Sequence, residues 1–111
     1  MQLEKELLQK VLGITYPIVK MRLTTSKEQL TYWYEYPDKS LQIKNIDLYR
    51  LANLYKSFFF TQKFTITSGK TLHNGWFASF EGHTIVQNQD SEYDAIFLLS
   101  EIIYENLLKI K

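Results

Sequence analysis

With 111 residues, 45% hydrophobic, 15% aromatic and none cysteine, the chain has the size and composition of one packed domain and lacks the staples of a small secreted module. Its formal net charge is +1, yet residues 20–70 hold nine Lys or Arg against four acids, and residues 71–111 hold two Lys against six acids. The start, Met1 to Glu6, lacks a signal-peptide core and no apolar run approaches the ~20 residues of a membrane span, so a cytoplasmic protein of one domain over residues 1–111 is expected.

Leu3, Leu7, Leu8, Val11 and Leu12 recur at helical spacing, with Glu4, Lys5, Gln9 and Lys10 between them and Gly13 as a stop. From Tyr16 to Thr24 the period changes to two, placing Ile18, Lys20 and Arg22 on one face and Val19, Met21 and Leu23 on the other. Leu30 to Tyr36 alternates again, with Leu30, Tyr32, Tyr34 and Tyr36 on one side and Thr31, Trp33 and Glu35 on the other. Two alternating runs around the polar stretch 24–29 predict an antiparallel hairpin, ended by Pro37-Asp38.

Asn45 is the expected cap of the next helix, with Asp47 in its first turn. Leu48, Leu51, Ala52, Tyr55, Phe58 and Phe59 hold i, i+3, i+4 spacing to about residue 60. Three strands follow. Phe64, Ile66 and Ser68 mark the first, Trp76, Ala78 and Phe80 the second, and Ile85 with Val86 the third. Gly69-Lys70 and His73-Asn74-Gly75 read as the first connection, and Glu81-Gly82-His83 as a tight turn. Ser91 caps the last helix with Asp94 three residues on. Its apolar set Ala95, Ile96, Leu99, Ile102, Ile103, Leu107 and Ile110, widened by Phe97, Leu98 and Leu108, predicts burial on more than one side. The expected fold is α+β, an antiparallel sheet packed by helices in the order α-β-β-α-β-β-β-α, with no repeat at a fixed period.

Chemistry is limited by the residue supply. His73 and His83 are the only histidines, so neither a metal nor a cofactor is expected. No nucleophile elbow, P-loop or G-x-G-x-x-G occurs. Paired acids, for example Glu35 with Glu81 on neighbouring strands, are the remaining route to catalysis.

Binding has more material. Lys20 and Arg22 beside the stripe Tyr32, Tyr34 and Tyr36 would offer charge for phosphate and rings for single-stranded bases. The same tyrosines would equally serve as packing under a helix. Phe58, Phe59 and Phe60 are consecutive on a helix, and one face cannot bury all three. Tyr49, Phe97 and Tyr104 also fall outside the main stripes.

Gly75-Trp76-Phe77-Ala78-Ser79-Phe80-Glu81-Gly82, followed by Ser91-Glu92-Tyr93-Asp94-Ala95-Ile96, resembles the C-terminal unit of HicB-type antitoxins and of small phage and plasmid proteins with the same strand–turn–strand–helix pattern. The resemblance spans residues 62–108 and lacks the Pro and Cys usual around the antitoxin turn. It implies a topology related to the double-stranded RNA-binding domain. Where that domain opens its last helix with lysines, this chain has Ser91-Glu92-Tyr93-Asp94, which repels phosphate. The expected function is therefore a non-catalytic accessory protein of a bacterium or phage. It would bind a protein partner or a second copy through Tyr32, Trp33, Tyr34, Phe58, Phe59 and Phe60. Single-stranded nucleic acid, through Lys20, Arg22, Tyr32, Tyr34 and Tyr36, is the alternative, and an enzyme with an unrecognised carboxylate pair the third.

Overall fold

A computed structural model describes residues 3–73 and 75–108; Asn74 and Ile110, which enter the expectations above, lie outside them. The fold is α+β, with two three-stranded antiparallel sheets and three α-helices. Helix α1 (Lys5–Leu12) opens on Glu4, whose side chain accepts the N–H of Glu6, and closes on Gly13 at φ 68°. That left-handed turn is one a side chain would strain. Leu7 and Leu8 are its buried residues.

The first sheet is a meander of β1 (Ile18–Thr24), β2 (Gln29–Glu35) and β3 (Leu41–Asp47). The expected order lacked β3. Its reason for escaping notice is physical: Leu41, Ile43, Lys44, Asn45 and Asp47 are all exposed, so no buried face imposes an apolar alternation on the sequence. The Pro37–Ser40 turn that leads into it is held by Asp38, whose Oδ1 accepts from the N–H of Ser40 at 2.9 Å and from its Oγ at 2.6 Å.

Helix α2 (Leu48–Thr61) follows at once. Its cap is Asp47, not Asn45: Asp47 Oδ1 accepts from the N–H groups of Tyr49 (2.9 Å) and Arg50 (3.1 Å). Asn45 remains inside β3, where its Oδ1 takes the Thr31 hydroxyl at 2.6 Å.

The second sheet is β4 (Ile66–Thr71), β5 (Gly75–Phe80) and β6 (His83–Gln89), again in sequence order. Gly69 and Lys70 are inside β4, paired with Phe77 and Trp76, so the first connection is shorter than expected. Glu81 at φ 52° and Gly82 at φ 78° make the two-residue turn between β5 and β6, the left-handed geometry that matches strand twist. Helix α3 (Glu92–Ile103) starts at Ser91, whose Oγ accepts the Asp94 N–H at 3.1 Å, and continues as a π-helical turn over Tyr104–Leu108.

Each sheet therefore runs through three strands into a helix, and the β-β-β-α unit occurs twice without a sequence repeat to announce it. Tyr49 packs on Tyr93 and Tyr55 on Phe97, edge to face with centroids 5.0 Å apart in both pairs, so α2 and α3 run parallel. The core is built at this helix pair: Leu48, Leu51, Tyr55, Phe59, Ala95, Phe97 and Leu99 have at most a trace of exposure. With α2 on one flank and the second sheet beneath it, α3 is buried on two sides, as its apolar girth requires. The Cα envelope measures 50 × 36 × 17 Å, thin enough for two layers only. No helix among the described residues is long and apolar enough to cross a membrane.

Candidate binding surface

Position in the first sheet follows from its register. Lys20 pairs with Trp33 and Arg22 with Thr31; Trp33 in turn pairs with Ile43, and Thr31 with Asn45. Paired residues share a face, so Lys20, Arg22, Trp33, Leu41, Ile43 and Asn45 lie together. Leu41 is 54% and Ile43 55% exposed. Lys20 Nζ sits 4.9 Å from the Trp33 ring centroid. Glu35 and Asp47 share this outer face too, so its two cations are matched by two acids.

The opposite, inner face holds Met21, Leu23, Leu30, Tyr32, Tyr34 and Ile46, which pack into or against the core. A β-bulge between Ile18 and Lys20 separates Ile18 from the two cations. One extra residue reverses the alternation, so Ile18 is buried while Lys20 is exposed. The alternation read from sequence had put all three on one side.

Tyr32, Tyr34 and Tyr36 consequently do not stand beside Lys20 and Arg22; they are on the far side of the sheet. Tyr32 is only 8% exposed, and burial raises its hydroxyl above the usual tyrosine range. Tyr34 and Tyr36 are half-buried and cluster with Tyr16. Tyr16 lies parallel to Tyr34 at 6.2 Å, and Tyr36 meets Tyr16 edge-on at 4.8 Å. A hydrogen bond with Tyr34 raises the Tyr36 hydroxyl.

The three phenylalanines of α2 divide as one helix face demands. Phe59 is fully buried, Phe58 packs half-buried against the core with its ring 5.3 Å from that of Phe59, and Phe60 is 68% exposed. Phe60 lines an open hollow of about 410 Å³ with Lys56, Ser57, Thr61, Thr65 and Ile66. Of the expected binding residues Phe60 is the exposed one, whereas Trp33 is half-buried on the outer sheet face, and the two belong to different elements. What the sequence reading missed was the aliphatic pair Leu41 and Ile43; their i, i+2 spacing was the only available signal.

Glu35 and Glu81 belong to different sheets, and Glu35 takes Lys39 at 3.4 Å, so the neighbouring-strand pair is not formed. Glu4 and Glu101 do approach each other. Glu101 Oε1 accepts the Glu4 N–H at 2.9 Å beside an open depression lined by Leu3, Glu4, Lys5, Leu98 and Glu101. Burial raises the Glu101 carboxyl; the Glu4 N–H acts the other way. The hydroxyl of Tyr55 is fully buried and has no hydrogen-bond partner among the described residues. Among those residues there is also no group of three His, Cys, Asp or Glu able to hold a metal ion.

Comparison with models of protein families, with curated proteins and with solved structures finds no match for this chain.

Proposed function

We propose that this chain is a non-catalytic cytoplasmic accessory protein that acts by binding another protein or a second copy, using the outer face of its first sheet. One observation carries the reading: Trp33, Leu41 and Ile43 lie together on a sheet face that no helix covers. A half-buried indole and two exposed aliphatic side chains on a rigid sheet, rimmed by charge, have the makeup of an interface core and its polar rim. The balanced charges Lys20, Arg22, Glu35 and Asp47 favour a protein over a polyanion, because a phosphate backbone would gain two cations and meet two acids. The non-catalytic part rests on the missing motifs and on the separation of Glu35 from Glu81.

The second reading, single-stranded nucleic acid, now uses a different ring. Lys20 and Arg22 flank Trp33 rather than the tyrosines, so a base would stack on the indole. The two readings are separated by one set of variants. Trp33→Ala and Ile43→Asp should abolish retention of a protein partner, or self-association in light scattering, while the far-UV CD spectrum is unchanged. Salt-sensitive binding of an oligonucleotide, lost in Lys20→Glu and Arg22→Glu, would favour the second reading and displace the first.

A further inference from the structure

The partner of the outer face can be specified from the strand that borders it, and the inference rests on the protein-binding reading above. Three of the four strand edges in the two sheets are compromised or occupied. On β1, the bulge at Val19 breaks the ladder, and Lys5 Nζ donates to the Val19 carbonyl at 3.2 Å. On β6, the register shifts twice and Asn88 takes φ 63°. Beside β4, Lys56 of α2 donates to Ser68 at 2.8 Å, and Ser68 donates to Glu92 of α3 at 3.0 Å. Bulges, lysines and covering helices are the devices by which proteins blunt exposed edges.

Strand β3 has neither a bulge nor a helix tied across it; of these devices it carries only one lysine, Lys44. It pairs with β2 through seven consecutive residues without a shift. It also stands at the rim of the molecule, because Lys44, on the face that the helices cover elsewhere, is exposed. Its free hydrogen-bonding groups can be assigned. The Tyr36 N–H donates to the Ser40 carbonyl, and the Leu48 N–H donates to the Glu28 carbonyl. Those two contacts fix the phase of the β2–β3 ladder: Gln42, Lys44 and Ile46 turn their backbone groups to β2, whereas Leu41, Ile43 and Asn45 turn theirs outward.

We infer that β3 pairs antiparallel with β3 of a second copy about a two-fold axis through Ile43, joining the two first sheets into one of six strands. In that register Ile43 faces Ile43 of the copy, Leu41 faces Asn45, and Lys44 faces Gln42. The outward N–H and C=O groups of each edge meet their equivalents. Because Trp33 already pairs with Ile43, an unbroken row runs Trp33, Ile43, and then Ile43 and Trp33 of the copy, across the outer face. Moving the axis to Lys44 would place two ammonium groups opposite each other, which a paired edge disfavours.

The test uses the full chain. Sedimentation at concentrations up to about 1 mM should give a species of twice the 13.2 kDa chain mass. Ile43→Pro removes an outward N–H and leaves the β2 ladder intact, and Ile43→Lys sets like charges across the axis. Each should weaken the dimer by about tenfold or more. The chain has no cysteine, so Ile43→Cys gives a clean cross-link. Facing residues about 5.5 Å apart at Cα are within disulfide range, and oxidation should yield a covalent dimer, while Thr84→Cys on β6 should not. A wild-type chain that stays at 13.2 kDa overturns the inference. A dimer that survives both Ile43 substitutions overturns the β3 pairing but leaves the protein-binding reading standing. Equal cross-linking from Thr84→Cys also overturns it.

Discussion

Lys20 holds its ammonium 4.9 Å from the centre of the Trp33 ring, across the β1–β2 ladder on the uncovered face of the first sheet. The pair owes its position to the bulge one residue earlier, which sends Ile18 into the core and Lys20 out of it. A cation on an indole at an exposed site is worth about 0.5–1 kcal/mol. A double-mutant cycle of Lys20→Ala and Trp33→Leu, read by urea denaturation, should return a coupling of that size. A coupling of zero would mean the ring and the ammonium do not act on each other.

The two candidate caps of α2 differ in what they hold. Asp47 accepts two orphan N–H groups at the helix start, so Asp47→Ala should cost about 1 kcal/mol, within the usual 0.5–2 range for a lost cap. Asn45→Ala removes only the contact with the Thr31 hydroxyl and should leave helix content untouched. Chemical denaturation followed by far-UV CD compares the two directly.

Tyr55 buries its hydroxyl without a partner among the described residues, and Tyr55→Phe keeps the ring while deleting that group. The substitution should raise stability by up to about 1 kcal/mol, because an unsatisfied buried hydroxyl carries a desolvation cost. Tyr55→Ala should lose roughly 3–5 kcal/mol, since the void lies in the core between α2 and α3. Thermal melts of both variants give the order.

Glu101 adds a pH dependence. Burial raises its folded-state carboxyl above the ordinary glutamate value of 4.5. Between that unfolded value and the raised folded value, the native state binds more protons than the unfolded one, so stability falls as pH rises through the window. Glu101→Gln should therefore be more stable than wild type at pH 7, and the difference should shrink as the pH falls towards 4. A gap that widens on acidification would show that Glu101 is stabilised by its charge instead.

Two glycines in the second sheet should respond unequally to alanine. At Gly69 a new Cβ would sit 2.9 Å from the Phe77 ring, a side chain that can swing aside. At Gly75 it would sit 2.8 Å from the Gln89 carbonyl oxygen, and φ is already +66°. Backbone cannot yield as a side chain does, and a left-handed alanine is strained. Gly75→Ala should cost roughly 1–3 kcal/mol, clearly more than Gly69→Ala, by the same denaturation assay.

Elements with one buried side were legible from the residues. Leu48, Leu51, Tyr55 and Phe59 must share a helix face because they recur at helical spacing, and the structure buries all four. Ser91 before Asp94 marks the start of α3 because a hydroxyl there satisfies an orphan N–H. The α+β class follows from such local periods alone. Strand β3 was not legible, since only Ile46 on its inner face packs against the core and one residue displays no period; its ladder to β2 defines it. Tyr32, Tyr34 and Tyr36 share a face as read, and so do Lys20 and Arg22, but Ile18, read with those cations, lies on the other side, because alternation gives relative faces within a strand and never across a bulge. Which set meets solvent was decided by the register of three strands and by the core that Tyr32 and Ile18 enter, which are long-range contacts that no local sequence pattern encodes.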